Sequence, residues 1–205
     1  MARRTYSMEK RAALETATRE RIVRAAVKLH ADHGPLATSF AAIAKRAQVS
    51  PQTVYNHFPD LGALIGACTG HVAALAPHVD ESSFRPGVTA EDRLRRLARA
   101  VYARLEFYAP WLRLGYHEAA SIPELAAVFA HIDDEVRRLA VAALAPERDP
   151  TPAFADAAFV LLDYPAWKAL TRGRSTADAA RLAGDGLADL VPRLTRPSRS
   201  RKETT

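Results

Sequence analysis

The chain has 205 residues, 48% of them hydrophobic, and a formal net charge of +6, so it can bury a sizeable core in one or two domains. No apolar run reaches the roughly 18 residues of a membrane-spanning helix, and the basic start Met-Ala-Arg-Arg-Thr-Tyr-Ser is not followed by the apolar segment of a signal peptide. Cys68 is the only cysteine, which excludes an intrachain disulfide and a cysteine-based zinc site and points to a reducing, cytoplasmic setting.

Ala, Leu and Arg dominate and alternating strand patterns are hard to find, so an all-α fold is expected. A first helix is predicted over about 15–32, where Ile22, Ala25, Ala26 and Leu29 make one apolar stripe and Gly34-Pro35 stops it. Ser39 is placed to cap a second helix ending near Ala47. Ser50, with Pro51 at the favoured first position, caps a short third helix, and Asp60 caps a fourth running towards Pro77. Residues 78–88 read as a loop. A long helix then starts at Thr89, with Asp92 three residues on in a variant of the capping box, and continues to about Tyr108. Pro110 and Gly115 are expected to break the chain around a short piece near Trp111. Another helix follows Pro123 towards Pro146, and the last two span about 152–172, kinked at Pro165, and 176–191. The tail from Thr195, rich in Arg, Ser and Thr, is expected to be disordered. This divides the chain into an N-terminal domain over 1–60, a second domain over 61–192, and a basic tail over 193–205.

Charge follows that division. Residues 1–60 carry ten Lys/Arg against five Asp/Glu, residues 61–192 fourteen against seventeen, and residues 193–205 five against one. The N-terminal excess adjoins two short amphipathic patterns over 39–57, the arrangement of a helix-turn-helix, and a basic block there is the footprint of phosphate contact. Ala44 supplies the small residue at the helix crossing, and Ile43, Ala47, Val49 and Val54 close the seam. The turn residue, Gln48, must enter the left-handed region, where glycine costs least. The third helix then exposes Ser50, Pro51, Gln52, Thr53, Tyr55 and His57. Gln52 can pair with adenine and Thr53 can touch a thymine methyl or a phosphate. Tyr55 and His57 can hold register on phosphates. Thr38 and Ser39 stand at the start of the second helix, where a phosphate is favoured. Lys45 and Arg46 add charge, and Arg3, Arg4, Lys10 and Arg11 could form a mobile arm on the DNA.

Residues 18–66 resemble the DNA-binding domain of TetR/AcrR-type transcriptional regulators. The resemblance is carried by Thr-Arg-Glu-Arg-Ile-Val-Arg-Ala-Ala (18–26), Thr-Ser-Phe-Ala-Ala-Ile-Ala (38–44) and Val-Ser-Pro-Gln-Thr-Val-Tyr-Asn-His-Phe (49–58). It implies a homodimer on a palindromic operator, usually repressing, and a variable second domain that binds a small molecule and releases double-stranded DNA. By position the family's contacts carry over to Thr38, Ser39, Pro51, Gln52, Thr53, Tyr55 and His57. Where the family often has a phosphate-contacting lysine at the start of the fourth helix, this chain has Leu61.

In the second domain Tyr102, Phe107, Tyr108, Trp111, Tyr116, His117, Phe129, Phe159, Tyr164 and Trp167 either line a cavity for an apolar or aromatic ligand or fill the core. Glu118 and Asp163 are candidates to orient such a ligand. Homodimerisation is expected through the last two helices. One stripe there is Leu161, Leu162, Ala166 and Leu170, and another is Leu182, Leu187, Leu190 and Val191, with small residues Ala179, Ala183 and Gly186. Two other functions stay open: a ligand-independent DNA-binding protein, and an all-α metal enzyme. His30 and His33 lie three apart but no third ligand is evident, and His117-Glu118-Ala-Ala-Ser121 lacks the second histidine of a zinc-protease helix. No cofactor and no catalytic residue are indicated.

Overall fold

The structure, a computed structural model, describes residues 2–85, 87 and 89–198, with the side chains of 2–7 and 9 outside the description. The chain is built from helices α1 (Ala2–His33), α2 (Phe40–Ala47), α3 (Pro51–His57), α4 (Leu61–Ala73), α5 (Ala90–Glu118), α6 (Pro123–Ala142), α7 (Pro152–Leu162), α8 (Tyr164–Leu170) and α9 (Thr176–Leu194). Two three-residue strands, β1 (Arg148–Pro150) and β2 (Thr195–Pro197), and 3-10 turns at Glu81–Ser83 and Ala119–Ser121 complete it. The fold is all-α.

Helix starts follow local chemistry. The Ser39, Ser50 and Asp60 side chains accept the amides of Ala42 (3.1 Å), Thr53 (3.0 Å) and Ala63 (2.8 Å), each satisfying an amide that the first turn leaves open. Thr89 Oγ1 likewise accepts the Asp92 amide (3.1 Å) ahead of α5.

Four elements depart from expectation. α1 starts at Ala2 rather than near Glu15, because residues before the apolar stripe are mostly strong helix formers with no Gly or Pro to stop them. α5 runs unbroken through Pro110 and Gly115. Proline in a helix interior costs about 3 kcal/mol, and here both sides of it are anchored: the Tyr102 hydroxyl donates to Leu161 O (2.9 Å) and Trp111 Nε1 to Val27 O (2.9 Å). The stretch 152–172 is two helices and not one kinked helix. Asp163 is extended (φ −82, ψ 164) and its carboxylate accepts the Tyr164 amide (2.6 Å), so it starts α8 instead of continuing α7. Finally, Thr195–Pro197 are ordered as β2, antiparallel to β1 with Pro150 opposite Thr195; Arg148 Nε donates to Thr195 Oγ1 (2.9 Å). Residues 199–205 of the expected tail lie outside the described residues.

The chain forms two compact units, Met1–Leu75 with Pro110–Phe129, and Ala76–Ala109 with Ala130–Thr205. This differs from a division at residue 60: α4 and the segment 110–129 belong with the N-terminal helices. The first unit centres on Ile22, Ala26, Ile43, Val54, Phe58 and Leu64, all at most 1% exposed, each large side chain contributing about 1.5–3 kcal/mol by burial. Cys68 packs there too, and burial pushes its thiol up to about 12, so it is an inert core thiol. A satellite of Ile65, Ile122 and Leu125 joins α4 to the start of α6. The second unit packs α5, α6, α7 and α9 around Leu94, Leu97, Tyr102, Leu139, Phe154 and Leu187. Its buried Arg93 pairs with Glu147 and donates from Nε to Ala143 O (2.7 Å).

Candidate nucleic-acid interface

α2 and α3 cross on the small side chain of Ala44 (1% exposed), with Ile43, Ala47 and Val54 buried and Val49 half-buried beside them. Gln48 closes α2 at φ 55, ψ 48 and its amide donates to the Ala44 and Lys45 carbonyls. The left-handed turn is therefore taken by a residue other than glycine, at a cost of about 1 kcal/mol.

With Val54 and Phe58 turned inward, α3 exposes Ser50, Pro51, Gln52, Tyr55 and Asn56, while Thr53 and His57 are half-buried. Gln52 Nε2 donates to Asn56 Oδ1 (3.0 Å), so the two amides act as one unit. Asn56 is a functional candidate that sequence reasoning passed over, although its spacing of four from Gln52 signals it. Thr53 Oγ1 is 2.8 Å from Ser50 Oγ. The Tyr55 ring rests on Phe40 (centroids 4.9 Å) and is still 52% exposed. Arg19 lies over the buried Phe58 ring at 4.8 Å, fixing the end of α3 to α1.

Lys45 and Arg46 are exposed on α2 and Ser39 on its cap. Thr38 is different. It is 8% exposed, its hydroxyl donates to Gly34 O (2.7 Å) and its amide to Pro35 O (3.2 Å), so both its donors serve the loop. Leu61 is half-buried against the Ile65–Ile122–Leu125 cluster, and the position is used for packing. Lys10 and Arg11 are exposed on the continuous α1 and do not form a separate arm; the Arg3 and Arg4 side chains lie outside the described residues.

The aromatic candidates divide between the two units. In the first, Trp111 is bonded to Val27 O, Tyr116 lies 5.7 Å from Phe129 and 5.9 Å from His117 (ring centroids), and Phe129 packs on the Ile122 cluster. In the second, Tyr102 is wholly buried with its hydroxyl on Leu161 O, and burial pushes its pKa up to about 12. Phe107 meets Tyr108 edge-on at 5.4 Å, Tyr164 stacks on Trp167 at 5.8 Å, and the Arg137 guanidinium covers Phe159 at 3.9 Å. An open groove is lined by Ser83, Arg96, Arg99 and Ala100 and includes none of these rings. Among the described residues of the second unit, two buried donors have no partner: Arg104 Nη2, whose other arm donates to Glu135 Oε2 (3.0 Å), and Trp167 Nε1. Glu118 bonds the Leu36 amide and Asp163 caps α8. Among the described residues no group of three or more His, Cys, Asp or Glu is placed to hold a metal ion, and no helix is long and apolar enough to cross a membrane.

Residues 22–68 match the family model described as bacterial regulatory proteins, tetR family. An uncharacterized HTH-type transcriptional regulator of Mycobacterium bovis is 37% identical over 82 residues, which cover 37% of this chain. The match spans 43% of that curated relative's length, less than half. Among solved structures, a TetR family transcription regulator of Marinobacter aquaeolei is 25% identical (TM-score 0.55), with 92% of this chain and 100% of that one covered. A regulatory protein in the tetR family from Rhodococcus is 24% identical (TM-score 0.63; 85% and 96% covered). The multidrug binding protein EbrR, solved with imidazole, is also 24% identical (TM-score 0.58; 85% and 89% covered). Residues 22–68 match the tetR-family helix-turn-helix domain and sit in an all-α fold like that of solved TetR-family regulators, and together these likenesses support a TetR-type transcriptional regulator.

Proposed function

We propose that the chain is a cytoplasmic repressor that binds a palindromic operator as a homodimer through α3 and is released by a small molecule. The observation that carries this reading is the two-faced third helix. Val54 is fully buried against α2, while Gln52, Tyr55 and Asn56 stand exposed on the opposite side of a seven-residue helix. The Gln52 carbonyl and the Asn56 amide group are left to meet a base edge. Tyr55, propped on Phe40, carries its hydroxyl to a phosphate, and the Ser39 hydroxyl proton, Lys45 and Arg46 add contacts that position the helix without reading sequence.

The second unit supports an effector. Buried donors without acceptors are rare in folded proteins, and Arg104 Nη2 and Trp167 Nε1 are two of them. They suit an aromatic or apolar molecule bearing an acceptor group, and the likeness to a multidrug binding protein agrees with a ligand-binding role. Such a molecule shifts the population away from DNA by its differential affinity for the two states.

Selection of bound sequences from random DNA by the purified chain tests the reading. A palindromic site is expected, with affinity falling steeply as salt rises. Gln52→Ala and Tyr55→Ala are each expected to weaken binding to that site by about tenfold or more, the scale of one lost base or phosphate contact. Enrichment of no sequence, or unchanged affinity in both variants, overturns it.

A further inference from the structure

We infer that Glu118 is a positioning residue for DNA binding: its carboxylate tethers the loop between α1 and α2 and so sets where the N-terminus of α2 stands. This rests on the reading of α2 and α3 as the DNA-contacting pair.

Glu118 is the last residue of α5, 82 positions along the chain from the residue it holds. Its Oε2 accepts the Leu36 amide at 3.0 Å. Its Oε1 occupies the space that a side chain at position 34 would need, since a Cβ on Gly34 would lie 2.2 Å from it. Gly34 also has φ +84, so glycine is required there both for the turn and for the approach of the carboxylate. Leu36 is 54% exposed, so apolar burial does little to hold it, and the bond to Glu118 ties it down.

From that tether the loop is bonded forward without a gap. The Gly34 carbonyl accepts the Thr38 hydroxyl (2.7 Å), the Pro35 carbonyl accepts the Thr38 amide (3.2 Å), and the next residue, Ser39, caps α2. The same segment of chain also grips the end of α1: Arg113 Nη2 donates to Ala31 O (3.3 Å) and Trp111 Nε1 to Val27 O (2.9 Å). Glu118 is thus placed to decide the attitude of Ser39 and the first amides of α2, while the buried seam of α2 and α3 stays intact without it.

The test compares wild type, Glu118→Gln and Glu118→Ala on the selected operator, with thermal midpoints and Leu36 amide exchange measured in parallel. The glutamine carbonyl can still accept the Leu36 amide, so that variant is expected to bind within about twofold of wild type. The alanine variant is expected to lose about tenfold in affinity. Its Leu36 amide exchanges faster while the α2 and α3 amides keep their protection. A merely structural role would lower the midpoint but leave the active fraction with wild-type affinity, which overturns the inference. So does a glutamine variant as weak as alanine. If wild type binds its operator and alanine does too, the inference alone fails; if wild type selects no sequence, the DNA-binding reading fails and takes the inference with it.

Discussion

At position 30 a histidine lies 4% exposed in α1 with Nε2 unpartnered, and burial lowers its pKa from 6.5 to about 4. Its charged form is therefore disfavoured in the folded unit. Between those two values the unfolded chain binds a proton that the folded one does not, so stability is lost as pH falls from 6.5 towards 4. The loss is about 3 kcal/mol when complete. Unfolding measured between pH 7 and 4 is expected to show wild type losing about that much more stability than His30→Leu; parallel pH profiles would refute it. Other single residues differ in how far they were legible. Gln48 was, because a helix-turn-helix demands a left-handed turn whatever residue occupies it, and it adopts φ 55. Thr38 was not. A hydroxyl beside a helix start suggests a phosphate, but only the loop's return path shows that Gly34 O already takes its proton.

Helix caps were legible as elements for a similar reason: Ser39, Ser50 and Asp60 act on amides three residues away. Pro110 misled because the forces that override it come from Leu161 and Val27, far along the chain. The same contrast separates two glycines of α9. A Cβ on Gly184 would lie 2.9 Å from Arg95 Cα and 3.4 Å from the Ala98 side chain, whereas on Gly186 it would meet only Leu161 Cδ1 at 3.6 Å. Helix propensity favours alanine at both by about 1 kcal/mol. Denaturant unfolding should show Gly186→Ala neutral or stabilised by about that amount. Gly184→Ala should lose about 1–3 kcal/mol, since backbone on α5 would have to move. Equal effects at the two sites would mean that α9 does not approach α5 this closely.

For the whole molecule the proposed homodimer narrows to a smaller surface than the apolar stripes suggest. Leu162, Ala179, Ala183, Leu187 and Val191 are at most 2% exposed within one chain, so they pack the second unit and are not free for a partner. Val160 on α7 and Leu182 on α9 remain 64% and 44% exposed, with Gly186 and Leu190 half-buried. Exposed apolar side chains on the two elements expected to pair are the ones a second copy would cover. Light scattering at micromolar protein is expected to give a dimer for wild type and a monomer for Val160→Arg combined with Leu182→Glu, with helical content unchanged. A dimer in that variant moves the interface elsewhere.

What the sequence determined by itself is the reading head and its all-helical setting. Residues 38–58 carry caps, seam and turn within about twenty positions, so their structure follows from interactions a few residues apart. The tertiary structure alone decided which side chains remain available. Glu118 and Trp111, apparent ligand contacts by composition, are committed to the α1–α2 loop and to α1. Tyr102 is committed to Leu161 O, and Thr195–Pro197 to a strand about 47 residues earlier. Each of these depends on a backbone donor, acceptor or edge supplied from far along the chain, and no local pattern of residues encodes where that partner will stand.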